Sequence, residues 1–221
     1  MKLFDINNPL MRSLTKIWDL IILNLLFILC CLPVITIGPA LTALFSVMLK
    51  LIRDEEGSVI KVFFRALTSN FKQSIVIHLL FLLVGFVLAA DLWFVFYAVE
   101  DHGAMTYILL GVSGVLAVLA TMTLLYVYPL LSRFENSTLG TVQVAFVLSF
   151  RHWPTTLALA FLTAIPILIM LVPSEAVIGF VYLMVIIGFS ALTMAQSFLL
   201  RRVFDQYTPQ NSEIATQEVR I

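Results

Sequence analysis

The chain has 221 residues, 61% hydrophobic and 12% charged, with Lys and Arg balancing Asp and Glu at zero net charge. Soluble domains average roughly 25% charged residues, so a chain with about half that cannot cover a water-facing surface and must turn most of its exterior to lipid. With no net positive charge it has no long-range field to recruit nucleic acid, and no nucleic-acid partner is expected.

The charges are partitioned. Every Lys and Arg lies within Lys2–Lys16, Lys50–Lys72, Arg133–Arg151 or Arg201–Arg220, and Ile17–Leu49, Gln73–Ser132 and His152–Leu200 contain none. Basic residues that flank membrane spans stay on the cytoplasmic side. The pattern therefore predicts an all-α polytopic bundle in the cell membrane. It has six spans in three hairpins, both termini cytoplasmic, and two interfacial cytoplasmic helices.

In chain order, a polar lead with Asn7-Asn8-Pro9 turn chemistry precedes a first span at 17–33, with Trp18 at interfacial depth. Asp19, three residues after Lys16, reads as its ion-pair partner or as a cap of the first turn. One helix from Ile17 to Leu49 would be about 50 Å long, beyond a ~30 Å hydrocarbon core. Pro33 and Thr36-x-Gly38-Pro39 must therefore break it, and a second span, 37–52, returns the chain; both are short enough for this hairpin to be re-entrant instead. The adjacent Cys30 and Cys31 read as small packing residues, since neighbouring cysteines rarely bridge each other.

The third span, 75–99, ends in Trp93, Phe94, Phe96 and Tyr97, and Glu100-Asp101-His102-Gly103 follows as an outer turn. The fourth is 104–131. The fifth, 154–172, opens on Pro154, where the missing N–H costs nothing, and carries a kink site at Pro166. Pro173-Ser174-Glu175 forms a turn in which Ser174 caps the sixth span, 176–200, and Arg201-Arg202 stop it. Residues 1–203 thus form a membrane domain, and 204–221 read as a polar, disordered cytoplasmic tail.

Two cytoplasmic connections resemble each other. Between Ser58 and Lys72, Ile60, Phe64, Leu67 and Phe71 recur at helical spacing, with Lys61, Arg65, Thr68 and Lys72 on another face; this marks an interfacial amphipathic helix. The second shows an apolar stripe of Leu139, Val142, Phe146 and Phe150. Arg53-x-Glu55 and Phe71-Lys72 return as Arg133-x-Glu135 and Phe150-Arg151, displaced by 80 and 79 residues, which suggests a two-copy repeat. Arg53, Glu55, Lys61, Arg65, Lys72, Arg133 and Glu135 are the candidate residues for docking a cytoplasmic partner.

Inside the membrane an ionisable group is a functional candidate by default. Asp91 is the clearest, lying within the third span with no Lys or Arg at its depth. It reads either as an inter-helix hydrogen-bonding residue or as a substrate- or proton-handling group in a central cavity. His78 reads as an interfacial hydrogen-bonding residue. Gly85-x3-Ala89, Gly111-x2-Gly114 and Ala117-x2-Ala120 offer small surfaces for close helix approach. No His-Glu-x2-His, Gly-x-Ser-x-Gly or P-loop motif is present, so no catalytic residue, cofactor or metal site is expected.

The run Leu32-Pro33-Val34-Ile35-Thr36-Ile37-Gly38-Pro39-Ala40, together with Phe63, Phe64, Phe71-Lys72-Gln73 and Arg133-Phe134-Glu135-Asn136, resembles the YesL family. These are small integral membrane proteins, mostly of Gram-positive bacteria, whose molecular function is unknown. The resemblance implies an association with carbohydrate ABC importers and polysaccharide-utilisation genes, and carries no catalytic or binding residues. The expected function is a non-enzymatic accessory or regulatory partner in oligosaccharide uptake, meeting an ABC importer permease or a membrane histidine kinase. The alternative is an autonomous transporter or flippase built around Asp91.

Overall fold

The computed structural model describes residues 9–55, 57–97, 103–171 and 175–207. Among them there is no strand. The elements are α1 (Pro9–Cys30), a 3₁₀ turn (Val34–Thr36), α2 (Ile37–Leu51), α3 (Val59–Ser69), α4 (Phe71–Tyr97), α5 (Ala104–Arg133), α6 (Thr138–Arg151), α7 (Trp153–Met170), α8 (Ala176–Leu183), a π-helical segment (Met184–Gly188) and α9 (Phe189–Asp205). The last three form one broken helix.

Among the described residues five helices are long and apolar enough to cross a membrane: Val34–Leu51, Phe71–Tyr97, Ala104–Arg133, Trp153–Met170 and Val177–Asp205. The chain is a multi-pass membrane protein. The first predicted span falls on α1, which is not one of the five.

The central element is α2. In its apolar window 61% of residues are buried, against 11–17% for the other four, so α2 is wrapped by protein while the others turn their large side chains outward. It packs against α1, α3, α4, α5 and α9. On one side Ala40, Ala43, Leu44, Val47 and Met48 meet Leu20, Leu23 and Phe27 of α1 and Phe63 and Ala66 of α3. On the other, Phe45 and Leu49 meet Tyr126, Leu130 and Leu131 of α5, Ala145 and Leu148 of α6, and Leu200 and Phe204 of α9.

The Leu32–Ala40 block makes the turn that places α2. Thr36 Oγ1 donates to Cys30 O at 2.6 Å and to Pro33 O at 2.7 Å, holding a carbonyl that the end of α1 leaves open. Pro39 sits in the first turn of α2, where no intrahelical donor is lost. Gly38 lets α4 approach: a Cβ there would lie 2.7 Å from His78 Cβ and 2.8 Å from Ser74 O. Thr42 and Ser74 hydroxyls then meet at 3.1 Å, and His78 Nδ1 lies 2.8 Å from the Tyr128 hydroxyl. Away from water, such partners within the protein lower the cost of burying a polar side chain. His78 is therefore a buried inter-helix hydrogen-bonding residue.

Several expectations are corrected by this packing. No close approach occurs at Gly85, Gly111 or Gly114, which have no packing neighbour within 4 Å of an added Cβ. Close approach occurs instead at Gly38 and, within one helix, at Gly188 beneath Met184. Lys16 pairs not with Asp19 but with Asp54, at 2.8 Å across the α1–α2 hairpin. The cap position of α8 is Glu175, and Ser174 lies outside the described residues. The predicted tail begins too early: α9 runs through Asp205 and Phe204 is fully buried. The outer turn at 100–102 lies outside the described residues, while Gly103 caps α5.

Both of the expected connecting helices form, and each exposes part of its apolar surface while burying another part. In α3 the inward residues are Phe63 and Ala66, while Ile60 and Phe64 are exposed. In α6 they are Thr141, Ala145, Leu148 and Ser149, while Leu139, Phe146 and Phe150 are exposed. The inward contacts thus mix bulky anchors, Phe63 and Leu148, with small residues that allow close helix approach. Phe71 and Lys72 belong to α4, because α3 ends at Ser69. The order long helix, short helix, long helix occurs twice, as α2–α3–α4 and α5–α6–α7, with Ser58 and Ser137 at the equivalent cap positions.

Candidate functional site

The basic clusters converge on one end of the bundle. Arg53, just past α2, and Arg133, in the last turn of α5, both donate to Asp205 Oδ1, at 2.5 and 3.0 Å. Arg201 Nε lies 3.6 Å from Asp205 Oδ2, and its Nη1 donates to Ile52 O at 3.2 Å. The guanidinium of Arg133 also sits over the Phe134 and Phe204 rings, at 5.6 and 5.8 Å. One carboxylate thus ties together the ends of α2, α5 and α9. The two arginines at equivalent positions of the suggested repeat meet at the same oxygen.

This knot divides the candidate docking residues. Arg53 and Arg133 are engaged within the protein, and Arg53 Nη1 also lies 3.9 Å from Glu55 Oε1. Lys61, Arg65 and Lys72 are exposed. Lys61 and Arg65, one turn apart on α3, line a cleft of about 1060 Å³ that also takes in Lys50 from α2, Ser58 at the start of α3, and Arg133 and Glu135. Its far wall is the segment from Leu131 to Ser137. That wall is pinned to α4 by Gln73, whose Nε2 donates to Asn136 O at 2.8 Å, and Ser137 Oγ accepts from Gly140 N at 3.2 Å to cap α6. Lys72 is not part of the lining.

Beside this end, His152 Nε2 lies 3.1 Å from the Tyr207 hydroxyl, and Arg151 sits over the Tyr207 ring at 5.9 Å. Burial, assisted by the Arg151 charge, holds the His152 imidazole below its ordinary pKa.

Asp91 lies elsewhere. It is half-buried in α4 and accepts a short hydrogen bond from Ser113 Oγ of α5. Among the described residues Asp91 lines neither the basic cleft nor two further cavities. Those two are apolar grooves, one along α4, α5 and α6, the other between α5, α6 and the end of α9. Among the described residues no group of His, Cys, Asp and Glu is placed to hold a metal ion.

Two residues of consequence escaped the sequence reading. Asn24 of α1 is fully buried; its Nδ2 donates to Met184 O and Val185 O at 3.0 and 2.6 Å, and its Oδ1 accepts from Ser190 N at 3.0 Å. It fills the opening that the π-helical segment makes in the backbone ladder. The signal was a lone amide in an apolar run, as informative as Asp91. Asp205 could have been found as the carboxylate four residues after Arg201.

A family model described as "Protein of unknown function, DUF624" matches residues 20–92, from α1 to α4 and including the Leu32–Ala40 block and the α3 wall of the cleft. Neither a curated protein nor a solved structure matches the chain.

Proposed function

We propose that this chain is a non-enzymatic accessory or regulatory partner in oligosaccharide uptake, acting at its basic end on an ABC importer permease or a membrane histidine kinase. In this reading it crosses the cell membrane six times, α1 supplying the sixth span, with both termini and the basic end in the cytoplasm. The observation that carries it is the contrast between two polar features. The basic end offers a large cleft rimmed by exposed cations. Asp91, which a transporter would need in a polar cavity, is instead bonded to Ser113 between two helices. The carbohydrate connection rests on the resemblance carried by Leu32–Ala40.

The test is genetic and biochemical. Removing the chain from its host should lower oligosaccharide uptake, and a copy carrying Arg65→Glu and Lys72→Glu should fail to restore it while still reaching the membrane. Unchanged uptake in the deletion would count against the proposal. Solute flux by the purified chain in proteoliposomes, abolished by Asp91→Asn, would assign the transporter or flippase reading instead.

A further inference from the structure

We propose that the cleft between α3 and the Leu131–Ser137 segment binds a phosphate-bearing ligand, either a soluble phosphate ester or the headgroup of an anionic phospholipid. The site would bind in the isolated chain and does not depend on the uptake reading.

The charge inventory points to an anion. Lys50, Lys61, Arg65 and Arg133 line the cleft against one carboxylate, Glu135. Arg133 is already engaged by Asp205. Among the described residues, none of the ion pairs involves Lys50, Lys61 or Arg65. Three cations around one concave space repel one another, and a phosphate placed among them converts that repulsion into attraction.

The donors also suit phosphate in kind. An arginine fork matches two phosphate oxygens, and lysines supply compact point charges. Lys61 and Arg65 stand one turn apart on α3, and Lys50 comes from a different helix, so an anion between them is held from two walls. Ser58 stands at the N-terminus of the 11-residue α3 without making a side-chain cap, and it lines the cleft. Its hydroxyl and the positive end of α3 therefore add to the same field.

At about 1060 Å³ the space is much larger than one phosphate group and lies at the upper end for small-molecule sites. The ligand must then carry a polar body beyond the phosphate, as a sugar phosphate or a glycerophospholipid headgroup does. Ile60 and Phe64 are exposed on the same helix, where acyl chains could lie beside a bound headgroup.

The experiment uses the full chain in two arms. In phosphatidylcholine nanodiscs it is titrated with glucose 6-phosphate, with glucose as the phosphate-free control. In detergent, retention of phosphatidylglycerol against phosphatidylcholine is read by native mass spectrometry. Saturable binding is expected in at least one arm: the first identifies a soluble ester, the second alone a lipid headgroup. Lys61→Gln with Arg65→Gln, and separately Lys50→Gln, should each weaken binding about tenfold or more, the loss of one or two charge-assisted hydrogen bonds. Lys72→Gln with Arg202→Gln removes two exposed cations outside the lining and should change it by less than about twofold. The Lys50 and α3 variants lie on different helices, so a folding defect in one leaves the other to decide. Absence of saturable binding in both arms, cleft variants that bind as the parent does, or an equal loss in the Lys72 and Arg202 control would overturn the assignment.

Discussion

Replacing Asn24 with Leu tests whether the break in the last membrane helix is held by a single side chain. The change nearly preserves volume and removes three hydrogen bonds, those to Met184 O, Val185 O and Ser190 N. Hydrogen bonds between membrane helices average about 0.6 kcal/mol and reach about 1.7, so three come to about 2 kcal/mol and at most about 5. The higher part of that range is expected here, because Asn24 is fully buried and no water can replace it. An extra residue in a π-helical turn cannot be absorbed without shifting the register of α9, so the freed carbonyls have no easy alternative. Reversible unfolding in mixed micelles titrated with sodium dodecyl sulfate, followed by tryptophan fluorescence, gives the difference directly. Leu25→Ala, at an exposed neighbouring position, serves as the control. Unfolding of Asn24→Leu at the same detergent fraction as the parent would refute the inference that Asn24 closes this break.

Other consequences follow from the same contacts. Gly38→Ala should destabilise by about 1–3 kcal/mol in that assay, because its Cβ meets Ser74 O and His78 Cβ at under 3 Å, while Gly85→Ala should be neutral or slightly stabilising. Asp205→Asn leaves three arginines without their shared carboxylate charge and should cost about 1–3 kcal/mol, measured as a fall in melting temperature that added salt narrows. His152 has a lowered folded pKa, so the folded state resists its protonation. Its contribution is complete above the ordinary value of about 6.5 and is lost as pH falls from there through the lowered folded value. Melting temperature should therefore fall more steeply below that pH in the parent than in His152→Gln.

The large-scale organisation was legible because it depends on charge and length. Lys16, Arg53, Arg133, Arg151 and Arg201 were separated in sequence by runs free of cations, and the structure brings their contacts to one end of the bundle. The break at Pro33–Pro39 was forced by the thickness of a bilayer, and Thr36 and Gly38 show how it is made. Which face of each helix turns inward was less legible, and the reason is the solvent. In water the stripe of Leu139, Val142, Phe146 and Phe150 would be the buried one; the residues α6 buries are instead Thr141, Ala145, Leu148 and Ser149. Small residues alone did not mark contacts either, since Gly38 is pressed against α4 and Gly85 meets nothing. The cleft was half visible. Lys61 and Arg65 were evident from their spacing, but Lys50 joins them only through the fold of α2 against α3. Arg53 and Arg133 carried the same sequence signal as Lys61, yet Asp205 claims them for the bundle.

The most direct measurement is photocrosslinking in native membranes from a probe at Phe64 or Lys72, on the basic end, against one at Met105 at the start of α5. If this end docks on an uptake system, both basic-end probes should capture the same importer subunit or membrane kinase, and the Met105 probe should not. Adducts confined to lipid or to the chain itself from both basic-end probes, or equal capture of that partner from Met105, would contradict an accessory role exercised through the basic end.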